Sequence, residues 1–246
     1  SLARQNRADD AAPHFQQAFV LDRSYRSGFV ELAQFYEASG RTTEAVTFYR
    51  MFPDDPVALE RIGILLTQAG QLPEAIQALE ALMEKMPTDA RRIALAQAYV
   101  KNQQTGKAEA VLAPAVAGAP VDLDLRMFYG RLLRDQRKFP GAVDQFAAAV
   151  RIKPDSPEAW SELASVLVIA QQYPQALLAF DRLRALGAET TGHFFFRALA
   201  HDRLVQRPEA VEAYKKFLAA AQGKFPDQEF QARQRVRFLE NELKKK

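Results

Sequence analysis

The sequence predicts an all-α fold, a solenoid of stacked antiparallel helix pairs, and three kinds of regularity support this. Apolar residues such as Trp160, Leu163 and Leu167 recur at helical spacing, which gives the segment one apolar face. Pro174 begins a second segment of the same kind, at a helix start where its missing N–H costs nothing. Small residues pair across the turn, and the whole pattern repeats along the chain. One helix pair cannot bury its outer apolar face, so it needs copies of itself.

Small residues separated by 12 positions mark the contact between the two helices of each pair. The six pairs are Ala33/Ala45, Gly63/Ala75, Ala96/Ala108, Gly130/Ala142, Ala164/Ala176 and Ala198/Ala210. A large side chain stands four residues after each second member, namely Tyr49, Leu79, Leu112, Phe146, Phe180 and Tyr214. We expect the small residues to let the two helix backbones cross closely.

The interval between successive pairs sets the repeat length. The steps from Ala96 to Ala198 are 34 residues each, and the two earlier steps are 30 and 33 residues. Three prolines follow the same period, namely Pro140, Pro174 and Pro208. A fixed period near 34 residues with two helices per unit is typical of a helical solenoid.

These features resemble the tetratricopeptide repeat family over nearly the whole chain. Residues 157–190 resemble its repeat best, through Trp160, Leu163, Ala164, Leu167, Tyr173, Ala176 and Phe180, with Pro154 just upstream. The resemblance implies a right-handed superhelix and a concave groove lined mainly by the first helix of each repeat. It implies partner binding as a class of function, but no single activity.

The resemblance divides the chain into repeats. We predict a half repeat at 1–25, repeats at 26–55, 56–88, 89–122, 123–156, 157–190 and 191–224, and a capping helix within 225–246. The repeat at 26–55 is short by about one helical turn. The repeat at 191–224 is degenerate, because Arg197 stands where earlier repeats carry an apolar residue.

The sequence makes a specific prediction about packing for three segments. An unpaired buried arginine is costly, so the helix around Arg197 should be rotated or partly open. Pro114 should kink or shorten its helix, because an interior proline costs roughly 3 kcal/mol. The capping helix should turn its apolar side chains inward, namely Phe230, Val236, Phe238 and Leu239.

Composition and motifs give no sign of an enzyme. The chain has 33 basic and 30 acidic residues, a balance too even to indicate nucleic acid, and no cysteine for disulfide or thiol chemistry. It has no phosphate loop, dinucleotide fingerprint or HExxH motif. The three histidines, His14, His193 and His201, are too scattered for a metal site. We therefore expect no catalytic residue, no cofactor and no metal.

The compartment is left open by the sequence. The chain begins at Ser1 without a methionine, so we expect a fragment of a longer protein. The longest uncharged run, Leu163 to Phe180, is interrupted by the polar turn at 171–175, which argues against membrane insertion. Composition is compatible with a soluble bacterial protein, in the cytoplasm or the periplasm.

The candidate binding residues flank the core stripe on the first helices of repeats 123–156 and 191–224, where the resemblance places the groove wall. They are Met127, Phe128, Arg131, Arg134, Phe195, Phe196 and Arg203. Aromatic, Met and Arg residues are enriched at interface hot spots, and Arg can hold a carboxylate through two parallel hydrogen bonds. We predict a peptide or protein partner that offers apolar anchors and an acidic group.

Three functions fit these observations. The leading one is a non-catalytic scaffold that binds a peptide or protein in its concave groove. The alternatives are a regulatory or substrate-recruiting repeat region of a larger enzyme, and a bacterial scaffold for envelope or export assembly. Self-association is also compatible with the sequence, because a half repeat leaves an open apolar face.

Overall fold

The computed structural model describes residues 8–21, 26–118 and 121–245, and every regular element in these ranges is an α-helix. Two compact units make up the chain, Ser1–Ala119 and Pro120–Lys246. Residues 1–7 and 22–25 of the predicted half repeat lie outside the described part.

Each unit is a series of helices that pack as neighbouring pairs. The first unit contains α1 (Ala8–Leu21), α2 (Arg26–Ala38), α3 (Thr42–Tyr49), α4 (Pro56–Gln68), α5 (Leu72–Lys85), α6 (Asp89–Lys101) and α7 (Thr105–Gly118). The second contains α8 (Leu123–Asp135), α9 (Phe139–Ile152), α10 (Pro157–Ile169), α11 (Tyr173–Ala185), α12 (Thr191–Arg203), α13 (Arg207–Ala221) and α14 (Pro226–Lys244). Within a unit, each pair also contacts the next pair.

The two helices of a pair begin with different signals. Several first helices begin after a polar side chain that accepts a hydrogen bond from a backbone N–H of the first turn, namely Asp55, Thr88, Asp122 and Ser156. Most second helices have no such cap and carry proline in their first turn instead, namely Pro73, Pro140, Pro174 and Pro208. These alternating signals determine the residue at which each hairpin starts and the residue at which its second helix begins.

One residue in each hairpin turn adopts the left-handed backbone conformation that reverses the chain. These residues have φ between 58° and 78° and are Gly40, Gly70, Gln103, Arg137, Gln171 and Val205. Each stands two residues after the end of the first helix. The turns are therefore alike although only two of them use glycine, the residue that tolerates this conformation best.

The predicted close crossing of paired helices is confirmed. All twelve small residues at the crossings are buried, and the ten alanines among them have no exposed area. A Cβ added to Gly130 would lie 2.7 Å from Cε1 of Phe146, whose ring is itself completely buried. Within each unit the fold class is therefore the predicted one, an all-α solenoid of stacked antiparallel helix pairs.

The helix around Arg197 is regular, contrary to the prediction that it is rotated or open. Arg197 is only 6% exposed, but its guanidinium donates to Glu189 at 2.6 Å and to Asp181 at 2.6 Å. It also lies over the ring of Phe180, 5.6 Å from the ring centre. These partners offset the cost of removing the charge from water, so α12 keeps its place in the stack.

The capping helix α14 buries only half of the side chains predicted to face inward. Val236 and Leu239 are buried as expected, but Phe230 and Phe238 are 62% and 52% exposed. The fourth position of the buried stripe is taken by Glu229, whose carboxylate accepts hydrogen bonds from the N–H groups of Gly223 and Phe225. The buried stripe of α14 therefore includes an acid that caps a turn, and the two phenylalanines lie beside the stripe with their rings largely exposed.

Helices α7 and α3 are two further places where the sequence predicts an irregular repeat. Helix α7 contains Pro114 and still runs for 14 residues, so the predicted shortening does not occur, and a kink at Pro114 stays a prediction. Helix α3 has only 8 residues, which agrees with the short repeat around it. No helix in the described ranges is long and apolar enough to cross a membrane.

Candidate functional site

The predicted binding residues of repeat 123–156 all lie on α8 and differ in accessibility. Met127 is 6% exposed, so its side chain packs inside the second unit. Phe128, Arg131 and Arg134 are partly exposed. The surface that α8 offers is therefore one aromatic ring beside two arginines.

The two arginines of α8 already hold carboxylates. Arg131 Nε donates to Glu162 Oε1 at 2.7 Å, and Arg131 also pairs with Glu158. Arg134 pairs with Glu162 as well. Both glutamates belong to α10, the first helix of the next repeat. An acidic group of a partner would have to compete with these internal partners.

Such ion pairs join successive first helices in both units. In the first unit Arg61 donates to Glu37 at 3.0 Å and Arg91 to Glu60 at 2.8 Å. In the second unit the α8–α10 pairs are followed by an equivalent contact between α12 and α14. Most charges on these faces are thus balanced by the neighbouring repeat, which leaves few of them for a ligand.

The aromatic residues of α12 belong partly to the core and partly to the surface. Phe195 packs against Phe217 with ring centres 5.1 Å apart and against Tyr214 at 6.1 Å. Phe196 meets Phe195 edge to face at 5.9 Å. Both phenylalanines remain partly exposed. They present apolar surface whose position is fixed by packing beneath it.

A cleft of about 560 Å³ lies between α12, α13 and α14, and we call it the α12–α14 cleft. It brings together two predicted residues, Phe195 and Arg203. Its apolar lining consists of Phe195, Leu199, Tyr214 and Phe230. Its polar lining consists of Asp202, Arg203, Gln231, Gln234 and Arg235.

Of the charged side chains that line the cleft, Asp202 and Arg235 are paired with each other, and Arg203 is not paired with a described acid. Arg235 holds Asp202 with two hydrogen bonds, Nη2 to Oδ1 at 2.7 Å and Nε to Oδ2 at 2.8 Å. The Tyr214 hydroxyl donates to Asp202 Oδ2 at 3.3 Å, and burial, followed by the charge of Asp202, raises the pKa of Tyr214. Arg203 is exposed, and no described carboxylate forms an ion pair with it. The cleft therefore carries one uncompensated positive charge.

Sequence reasoning missed the contribution of α14. The sequence predicts that Phe230 faces the core and singles out no role for Arg235, whereas both line the α12–α14 cleft. Spacing could have revealed this, because Glu229, Ala232, Val236 and Leu239 form the helical stripe that is buried. Hydropathy alone would place the phenylalanines in the core and the glutamate in solvent.

The histidines of the second unit serve as local hydrogen-bonding groups. His193 is buried, and its Nδ1 accepts from the backbone N–H of Thr190 at 3.1 Å while its Nε2 contacts Ser161 Oγ at 2.9 Å. His201 Nδ1 lies 2.7 Å from Gln206 Oε1. Within the described ranges no three histidine or acidic side chains gather in a way that could hold a metal ion.

Comparison with known proteins connects this architecture to one repeat family. The sequence profile of the tetratricopeptide repeat matches residues 1–56 and 93–157. No curated protein matches the sequence significantly.

Solved structures with a similar fold include tetratricopeptide repeat proteins and MamA. The C-terminal part of a tetratricopeptide repeat-containing protein from Cytophaga hutchinsonii has a TM-score of 0.72 and 18% identity, over 85% of this chain and 86% of that one. A tetratricopeptide repeat protein from Parabacteroides merdae has a TM-score of 0.58 and 13% identity, over 97% and 94%. MamA from Desulfovibrio magneticus has a TM-score of 0.58 and 19% identity, over 66% and 94%. At these identities the similarity shows the fold alone.

Proposed function

We propose that this chain is a non-catalytic scaffold with a defined binding face, because the tetratricopeptide repeat profile matches two of its segments and that fold generally serves as a scaffold for protein–protein interaction. The face is formed by the first helices of the second unit, α8, α10 and α12. Its ligand is a peptide or a segment of a partner protein that carries apolar anchors and an acidic group.

The observation that carries this proposal is the exposed aromatic surface of α12 beside an unpaired arginine. Phe195 and Phe196 are held in place by the core and still reach solvent. Rigid aromatic side chains bind a partner with little loss of conformational freedom, and arginine beside them is typical of interface hot spots. Arg203 supplies a guanidinium that no described acid neutralises.

The predicted residues differ in what they contribute to this face. Phe195, Phe196 and Arg203 provide the direct contacts. Arg131 and Arg134 hold Glu158 and Glu162, so their main role is to fix α8 against α10. Phe128 extends the apolar surface. Met127 is left out of the face because it is buried.

Panning of a phage-displayed library of random peptides tests the proposal. We expect wild-type protein to enrich peptides whose binding is lost on the double variant Phe196→Ala/Arg203→Glu. The matched control is Arg182→Glu, which reverses an exposed charge on the second helix α11 and should leave binding unchanged. Urea denaturation of each variant verifies that the fold is intact.

Two results would contradict the proposal. One is a wild-type protein that enriches no peptide over a bare support. The other is a set of peptides that bind the double variant as tightly as the wild type, since the contacts would then lie on another surface.

A further inference from the structure

We propose that the α12–α14 cleft is the specificity pocket of the binding face, and that it takes a bulky apolar side chain lying next to a carboxylate. This inference rests on the proposed function and adds a location and a ligand chemistry to it. The pocket includes α14, so it reaches beyond the residues that the repeat pattern alone assigns to the groove.

The apolar lining gives the cleft its preference for a bulky side chain. Phe195, Leu199 and Tyr214 form one wall, and Phe230 of α14 faces solvent at the other. At 62% exposure, Phe230 is among the most exposed large apolar side chains of the second unit. A side chain inserted between these walls would remove apolar surface from water on both sides, which favours binding roughly in proportion to that area.

The charges in the cleft disfavour a cationic ligand. An aromatic pocket with a free carboxylate would suit an ammonium group. Here Arg235 occupies both oxygens of Asp202, and the Tyr214 hydroxyl adds a third hydrogen bond. The charge of Asp202 is therefore balanced by Arg235, and with Arg203 the cleft carries a net positive charge that repels a second cation.

Arg203 provides the site for the carboxylate. Its side chain is exposed at the rim of the cleft, and no described acid forms an ion pair with it. A guanidinium can bind a carboxylate through two parallel hydrogen bonds, which fixes the direction of approach as well as the charge. The ligand acid must lie close in sequence to the apolar residue, because Arg203 and the apolar walls line one cleft.

The first unit contains an equivalent cleft that lacks both features. Its lining includes Gln34, Glu37, Ala38 and Arg61, with a volume of about 320 Å³. Gln34 and Ala38 stand one and five residues after Ala33, the positions that Leu199 and Arg203 hold after Ala198.

The acid of each cleft, Glu37 or Asp202, accepts the same kinds of hydrogen bond. Tyr49 and Arg61 donate to Glu37, as Tyr214 and Arg235 do to Asp202. These hydrogen bonds are therefore shared by the two clefts, while of these two only the cleft of the second unit has the apolar wall and the unpaired arginine. Because of this difference, we expect the proposed ligand to bind the cleft of the second unit and not that of the first.

The test compares the peptides that a phage-displayed random library enriches on wild type and on four single variants. Arg203→Glu and Phe230→Ala alter the cleft, and both residues are exposed enough for the fold to tolerate the change. Arg237→Glu on α14 and Leu178→Ala on α11 change a charge and an apolar side chain at exposed residues that do not line the cleft. Fluorescence polarisation of synthetic copies of the enriched peptides then gives affinities.

We expect wild-type peptides to carry a bulky apolar residue within about two positions of Asp or Glu, because both groups enter one pocket. Arg203→Glu should lose the preference for acid and select Lys or Arg instead. Phe230→Ala should weaken binding of the wild-type peptides about tenfold, which is typical of an aromatic hot spot. Arg237→Glu and Leu178→Ala should keep the wild-type preference and affinity to within about twofold.

Each other result has a distinct meaning. Enriched peptides whose apolar and acidic residues lie far apart in sequence, or that bind Phe230→Ala as tightly as wild type, would overturn the pocket and leave the proposed function standing. Peptides that bind Arg203→Glu as tightly as wild type would overturn both. Loss of the wild-type preference on the two control variants would also overturn the pocket. A library that yields no wild-type binder would overturn the proposed function and the pocket together.

Discussion

The hydroxyl of Tyr214 donates a hydrogen bond to Asp202 Oδ2 at 3.3 Å. This bond joins the two helices of the last repeat, α13 and α12. Tyr49 makes the same contact with Glu37 Oε2 at 3.2 Å in the first unit. In both cases an arginine of the following first helix holds the same carboxylate. One acid thus connects three helices.

Removal of the Tyr214 hydroxyl should weaken the second unit. We expect Tyr214→Phe to lower the free energy of unfolding by about 1 kcal/mol, the usual net value of a hydrogen bond, with somewhat more because the acceptor is charged. Urea denaturation measures this. Tyr173→Phe is the matched control, because no described side chain shares a hydrogen bond with Tyr173, and it should have little effect. Equal stability of the two variants would show that the contact contributes nothing.

Close crossing of the paired helices makes a glycine necessary at Gly130. We expect Gly130→Ala to lower the free energy of unfolding by about 1 to 3 kcal/mol, because the new methyl overlaps the buried ring of Phe146. Gly192→Ala, at a helical site whose nearest neighbour is 3.9 Å away, should instead be neutral or stabilising by up to about 1 kcal/mol. Thermal and urea denaturation decide between these outcomes. A stabilising Gly130→Ala would refute the crossing geometry.

The repeat pattern could be predicted because it depends on local spacing. Small residues at a crossing, a large residue one turn later and a proline at the next helix start are all visible in the sequence. They repeat, so each occurrence supports the others. The structure accordingly matches the prediction where neighbouring repeats impose the same packing, as at Ala164 and Ala176.

The candidate site depends on contacts between residues far apart in the sequence, which spacing does not reveal. Arg131 resembles a free ligand for an acid until the structure places Glu162 against it, 31 residues away. Arg197 resembles a defect until Glu189 and Asp181 pair with it. Glu229 resembles a surface residue until its carboxylate caps a turn. In each case a polar partner, which hydropathy ignores, decides the outcome.

The buried ion pair of Arg197 and Glu189 should be costly to break on one side only. Both side chains are 7% exposed, so Arg197→Met leaves a buried carboxylate without its main partner. We expect a loss of about 3 kcal/mol in the free energy of unfolding. The double variant Arg197→Met/Glu189→Gln should recover most of it, because no buried charge remains. A double variant as unstable as the single one would show that packing, and not charge, sets the cost.

The second unit should lose stability in mild acid through His193. Burial, against the opposing charge of Glu189, lowers the pKa of His193. The neutral ring is therefore favoured in the folded state, and its contribution is fully present above the unfolded pKa of about 6.5 and lost as pH falls through the lower folded value. Urea midpoints between about pH 7 and pH 5 should fall for wild type and for His201→Asn. They should fall less for His193→Asn, and an equal fall in all three would contradict this role.

The account as a whole is tested most directly by nuclear magnetic resonance of the isotope-labelled protein titrated with a peptide selected on it. We expect the amide signals that shift to belong to the α12–α14 cleft, at Leu199, Arg203, Phe230 and Gln234, while the equivalent Gln34 and Ala38 of the first unit stay in place. Shifts confined to the second helices α11 and α13, or to the first unit, would contradict a binding face on the first helices of the second unit.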